Sequence, residues 1–116
     1  MKLLIIMLFL TGFIYSQNIK NYEILKYQEI DNISNMSFVD YNPHLLPIIV
    51  SDYQIIANGI KYKISSILQN TGDKIVWSCI KNSRPVTVIY DGPYLSGPTI
   101  TIKDLSKVYI FDVKEN

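Results

Sequence analysis

The side chains able to do chemistry in this chain are few and far apart. His44 is its single histidine and Cys79 its single cysteine. A hydrolase would need base, nucleophile and orienting acid within hydrogen-bond reach. The available set is His44 with an Asp (Asp40 or Asp52) and a serine or Cys79. The setting Asn42-Pro43-His44-Leu45-Leu46-Pro47 has no H-x-x-x-H or H-E-x-x-H spacing, so no metal is expected. Cys79 lies in an apolar segment beside Trp77, where a thiol behaves as a small buried hydrophobe. Acidic residues are scattered singly. Asp73 in Gly-Asp-Lys and Asp91 in Asp-Gly-Pro suit turns, where a carboxylate accepts from nearby backbone. Gly59, Gly72, Gly92 and Gly97 are isolated turn glycines rather than a phosphate loop, so no cofactor is expected.

Aromatic residues offer the other kind of chemistry, which is contact. Trp77, Tyr90 and Tyr94 could form a binding face, since aromatics give large rigid area at low entropic cost. The Gly/Pro loop Asp91-Gly-Pro-Tyr-Leu-Ser-Gly-Pro98 is expected to expose Tyr94 and Leu95 as a ligand-binding surface. The favoured reading is therefore a non-catalytic interaction module. It would bind another envelope or extracellular protein through a sheet edge or this loop. A small secreted hydrolase using His44 is the competing one.

Residues 1–16 bear on the compartment. Lys2 precedes an apolar run from Leu3 to Leu10; Gly12 breaks it, and Ser16 stands before Gln17-Asn18. That is the layout of a secretory signal peptide. The run is shorter than the ~20 residues of a membrane-spanning helix, so cleavage rather than anchoring is expected. The Ser16-Gln17 junction resembles signal peptides of Bacteroidetes-type bacteria. Without Lys2, the mature chain carries ten Lys plus Arg against ten Asp plus Glu. Neutrality and the lack of a polybasic run argue against nucleic acid as a partner, and against a charged membrane surface. The product would be periplasmic, outer-membrane-associated or secreted. With one cysteine it has no internal disulfide, and its core must hold it.

The remaining hundred residues, 17–116, suit one domain. The pattern predicts an α+β fold: a small β-rich domain, mostly antiparallel sheet, with one or two short helical turns. Residues 17–37 are poorly defined, although Tyr22–Ile30 reads as a strand and Asn32–Ser37 as polar linker. Phe38–Pro47 is expected to be irregular because of its prolines. Asn58-Gly59 between alternating apolar runs predicts a tight hairpin. Ser66-Ile-Leu-Gln69 has capping-box spacing and predicts a helical turn. Ile75–Ile80, Val86–Tyr90 and Val108–Val113 read as strands, with a loop at Lys81–Pro85. The expected core is Ile49, Ile55, Ile64, Ile75, Trp77, Val88, Val108 and Ile110. A weak echo at an offset of 33 lays Tyr53–Gly59 over Val86–Gly92.

One stretch has a family-like pattern. Pro85-Val-Thr-Val-Ile-Tyr-Asp-Gly92, a variable loop and Asp104-Leu-Ser-Lys-Val-Tyr-Ile-Phe-Asp-Val-Lys114 resemble part of the plug module of TonB-dependent outer-membrane receptors. The resemblance covers about thirty residues. It implies a strand, a loop or short helix, then a strand with an acidic-Lys tail. Tyr90 departs from the family's uninterrupted apolar stretch.

The leader makes a direct prediction. Intact-mass analysis of the exported protein should give a chain beginning at Gln17; a mass that includes Met1–Tyr15 contradicts cleavage.

Overall fold

The computed structural model describes residues 18–92 and 97–116. Within them run nine strands: β1 (Lys20–Asp31), β2 (Met36–Asp40), β3 (Ile48–Val50), β4 (Gln54–Ala57), β5 (Ile60–Asn70), β6 (Lys74–Lys81), β7 (Arg84–Asp91), β8 (Thr99–Asp104) and β9 (Lys107–Glu115). All pairings are antiparallel, in the order β2-β1-β3-β4-β5-β6-β7-β8-β9, and β1 also pairs with β9. That last pairing closes a barrel of eight strands, with β2 as an extra strand outside the ring.

The α+β expectation is therefore corrected: the fold is all-β, and no described residue is helical. The cause lies in β-bulges. Opposite β6, β5 shifts register between Ile64 and Ser66 and again between Ile67 and Gln69. Each bulge inserts one extra residue, so inward positions step by three instead of two. Tyr62, Ile64, Ile67 and Asn70 thus lie on one face, and Ser66–Gln69, expected as a helical turn, is doubly bulged strand. In β1 the shift between Ile24 and Lys26 has the same effect, carrying the inward face from Ile24 to Tyr27.

The closed ring buries Tyr22, Ile24, Ile48, Val50, Ile55, Ala57, Tyr62, Trp77, Cys79, Val86, Val88, Ile100, Ile102, Phe111 and Val113. Full burial of each Ile or Val stabilises by ~1.5–3 kcal/mol. Of the expected core, Ile55, Trp77 and Val88 are buried, while Ile64 and Ile75 pack partly buried against it. Ile49, Val108 and Ile110 are corrections. Ile48, Val50, Phe111 and Val113 are buried in their place, with Tyr109 packed against them. A strand has period two, so reading it one residue out reverses its faces. Outward positions carry charge, as at Glu23, Lys61, Lys63, Lys103 and Lys114, all exposed. The barrel is apolar inside and charged outside.

Turns connect the strands economically. Asn58 and Gly59 both have positive φ, 50° and 80°, in the two-residue β4–β5 turn closed by Ala57 and Ile60. The expected loop at Lys81–Pro85 is a similar turn, Asn82-Ser83, between the paired residues Lys81 and Arg84. Thr99–Asp104, not foreseen as a strand, is β8. Met36–Asp40, placed by the sequence reading in polar linker and irregular chain, is β2, joined to β1 by a turn in which Asp31 Oδ1 accepts from the amides of Ile33 and Ser34 at 3.0 and 3.3 Å.

Gly59→Val isolates the cost of one turn conformation. A Cβ there would meet only Leu46 Cδ1, at 4.0 Å, an ordinary contact. The strain of a β-branched residue at positive φ should cost ~1–2 kcal/mol. Thermal unfolding should show it as a lower Tm, by roughly 4–8 °C per kcal/mol. An unchanged Tm contradicts the turn geometry.

Candidate functional site

Cross-strand pairs from separate parts of the chain meet at the end of the barrel that holds the Asn58-Gly59 turn. Lys81 and Arg84 face each other across β6 and β7. Asp104 and Lys107 do so across β8 and β9, and Tyr109 stands opposite both Ile102 and Glu29. These residues continue the inward faces of their strands, so they form the rim where the apolar interior meets water.

Asp104 is the centre of the rim. It is 6 % exposed, with Oδ2 3.3 Å from Lys81 Nζ and 3.8 Å from Arg84 Nη2. Its Oδ1 has no hydrogen-bond partner among the described residues. The Lys81 ammonium also lies 5.8 Å over the Tyr62 ring, a cation–π contact. Lys107 Nζ pairs with Glu29 Oε1 at 3.1 Å, which holds the lysine's pKa above its ordinary value.

Below the rim lies an aromatic cup of about 130 Å³, walled by Tyr27, Tyr62, Tyr109, Phe111, Ile102 and Leu45 among others. Tyr27 organises it. Its ring stacks on Tyr109 at 6.4 Å and tilts against Phe111 at 5.3 Å and Phe38 at 6.3 Å, and its hydroxyl donates to Glu29 Oε2 at 3.2 Å. Tyr109 also borders a neighbouring polar cavity of about 260 Å³ that Lys81, Arg84, Asp104 and Lys107 line. Cup and polar cavity are thus adjacent, with Tyr109 as the shared wall.

Next to the rim, β2 forms a lip. Among the described residues it pairs with β1 alone, which leaves its outer edge open along its length. Met36 and Phe38 are exposed on it, with Ile33 and Tyr41 exposed at its two ends. The second half of β5 also extends past β4, but its two bulges disrupt it as a template. β2 carries no bulge, lysine or proline.

The residues singled out for catalysis are not assembled into a site. His44 is exposed in the β2–β3 connection and makes no hydrogen bond or ion pair among the described residues. Cys79 is buried in the core, and burial pushes its thiol up to about 11. Tyr94 and Leu95 lie outside the described residues. Trp77 and Tyr90 belong to the barrel wall rather than to an exposed face: Trp77 is buried, and Tyr90 packs on Tyr22 at 5.7 Å. No group of three or more His, Cys, Asp and Glu able to hold a metal occurs among the described residues. The rim itself was missed by the sequence reading. Its signal was available as Lys-x-x-Arg at 81–84 and Asp-x-x-Lys at 104–107, charges closing consecutive two-residue turns.

Burial raises the tyrosine hydroxyls around the interior. Tyr62 is pushed up to about 12, by desolvation first and then by the Asp104 charge; Tyr22, at the other end, goes to about 12 by desolvation and then Glu115. Tyr27 and Tyr109 are raised for the same leading reason. In the window from the ordinary 10.0 up to about 12, the folded chain keeps protons that the unfolded chain has released. Stability from these groups is complete below that window and is lost as pH rises through it. An alkaline titration followed by tyrosinate absorbance and circular dichroism should show these tyrosines ionising together with loss of the β signal. Ionisation of all tyrosines near their ordinary value with the fold intact contradicts a desolvated interior.

Compared with protein-family models, with curated proteins and with solved structures, the chain matches none. Pro85–Gly92 runs along β7, and Asp104–Lys114 runs from the end of β8 through the turn into β9, in one antiparallel meander.

Proposed function

We propose that this protein is an exported, non-catalytic interaction module that takes another envelope or extracellular protein on the open edge of β2. The observation that carries the reading is the state of that edge. In a closed barrel nearly every strand is paired on both sides, and exposed edges are ordinarily blunted because they template pairing with other chains. The outer edge of β2 has no partner among the described residues and carries no bulge, lysine or proline, and the strand exposes Met36 and Phe38. A partner strand added there would gain main-chain hydrogen bonds, and the two apolar side chains would supply specificity. The leader at residues 1–16 supports an exported location. The unassembled state of His44 and Cys79 is why binding is preferred to hydrolysis.

The test compares wild type with a Met36→Lys, Phe38→Lys double variant in pull-downs from envelope extract. Both side chains are largely exposed, so the variant should fold. Wild type should recover a partner that the variant loses, because edge lysines disfavour strand addition. Recovery of the same proteins by wild type and variant contradicts the edge as the binding surface. A Tyr94→Ala, Leu95→Ala variant, run alongside, separates the edge from the Asp91–Pro98 loop.

A further inference from the structure

We infer that the aromatic cup and the Arg84 rim beside it form one binding site for a small amphipathic carboxylate: a compact branched or aromatic apolar group carrying a single carboxylate. This site is separate from the β2 edge and does not rest on that reading.

The size and lining of the cup set the apolar part. At about 130 Å³ it is slightly smaller than the ~150 Å³ apolar cavity that holds a benzene ring, so it suits four or five carbons or a small ring. Apart from Asn58, its walls are rings and aliphatic side chains. Barrel mouths are a usual place for such pockets, with few polar groups fixing the ligand's orientation.

The ion pairs of the rim set the headgroup. Two of the rim's three cations are held close by carboxylates: Lys107 by Glu29 at 3.1 Å and Lys81 by Asp104 at 3.3 Å. Arg84 is the third. It stands 3.8 Å from the same Asp104 oxygen and donates no hydrogen bond among the described residues. With Asp31, which stands opposite Lys107, the rim sets three carboxylates against three cations, and the cation left without a hydrogen bond is a partly exposed guanidinium. A guanidinium presents parallel N–H donors that match a carboxylate in bidentate fashion. Arg84 lines the polar cavity whose wall, Tyr109, is also a wall of the cup. A ligand whose apolar end occupies the cup can therefore pass Tyr109 and set its carboxylate on Arg84. Tyr109, whose hydroxyl has no hydrogen-bond partner among the described residues, lines both cavities and offers a further donor.

The chemistry could be supplied by a free acid or by the C-terminus of a peptide ending in an apolar residue. Titrations of the barrel followed by NMR distinguish the sources. The probes are 3-methylbutanoate, its uncharged amide, acetate and N-acetyl-leucine. Shifts should appear at Tyr27, Tyr109 and Arg84 with 3-methylbutanoate or N-acetyl-leucine; the tighter of the two names the source. The amide and acetate should each bind about tenfold more weakly, because each lacks one half of the recognition. Arg84→Gln should weaken the acid about tenfold and leave the amide unchanged. Arg84 ends a turn and is partly exposed, so the variant's own spectrum will show whether the fold is intact; Arg84→Lys, which keeps the charge without the fork, should fall between them. Equal binding of acid and amide overturns the inference. So does equal binding of acetate, which indicates bare ion pairing, and so does the absence of any shift through the millimolar range.

Discussion

The pairing of β1 with β9 is the constraint on which the rest of the molecule depends. It joins the first and last strands along a register that runs from Tyr22↔Glu115 to Asp31↔Lys107. Closing so long a loop costs chain entropy, although that cost grows only slowly with loop length. The ladder and the core it encloses must offset it, since Cys79 is free and no disulfide links the described residues. The bulge at Leu25 makes the pairing possible by bending β1 around the barrel without reversing the burial of Tyr22, Ile24 and Tyr27. Without closure, β1 and β9 would each expose an unpaired edge and the apolar interior would open to water.

Closure also creates the asymmetry that makes a mouth. β1 has twelve residues, whereas β3 and β4 have three and four. The first part of β1 can therefore pair with β3, but from Tyr27 onward its neighbour on that side among the described residues is β2. At this end the wall is completed by the Leu45 side chain and the Asn58-Gly59 turn instead of by strand, and the cup lies beneath them. The rim charges are not what holds the barrel together. Replacing a buried ion pair with packed apolar residues is often neutral or stabilising by about 1–4 kcal/mol, whereas removing one partner leaves an uncompensated charge. Asp104 keeps Lys81 and Arg84 in place; the apolar core keeps the barrel folded.

What could be read from the sequence follows from where the chain obeys period two. β6 and β7 alternate without interruption, and Trp77, Cys79 and Val88 were legible there as inward or buried. Asn58-Gly59 was legible because its turn chemistry is local. The bulges within β1 and β5 were not. Ile24 to Tyr27 and Ile64 to Ile67 are spacings of three, which in a one-dimensional pattern resemble a helix. β9 failed for a different reason: Val108, Tyr109, Ile110 and Phe111 are all apolar or aromatic, so only the register with β8 decides which pair faces inward. The rim was hidden because it is an arrangement across strands. Lys81, Arg84, Asp104 and Lys107 are unremarkable as single charges, and the antiparallel meander alone brings them to one end.

Tyr27 ties the two surfaces of the mouth together. On one side its ring meets Phe38, the central aromatic of the β2 lip; on the other it stacks on Tyr109 and leans on Phe111 inside the cup. Its hydroxyl is held by Glu29, which also holds Lys107 on the rim. Residues in mutual contact through a shared partner do not respond independently, and their energies couple by about 0.5–3 kcal/mol. A strand docked on β2 would press on Phe38 and hence on the Tyr27 ring that walls the cup. A ligand in the cup would fix that same ring against Phe38. Coupling between two such events is reciprocal by thermodynamic necessity. The lip and the cup are separate in chemistry, one main-chain and apolar, the other aromatic and cationic, but they share one aromatic wall.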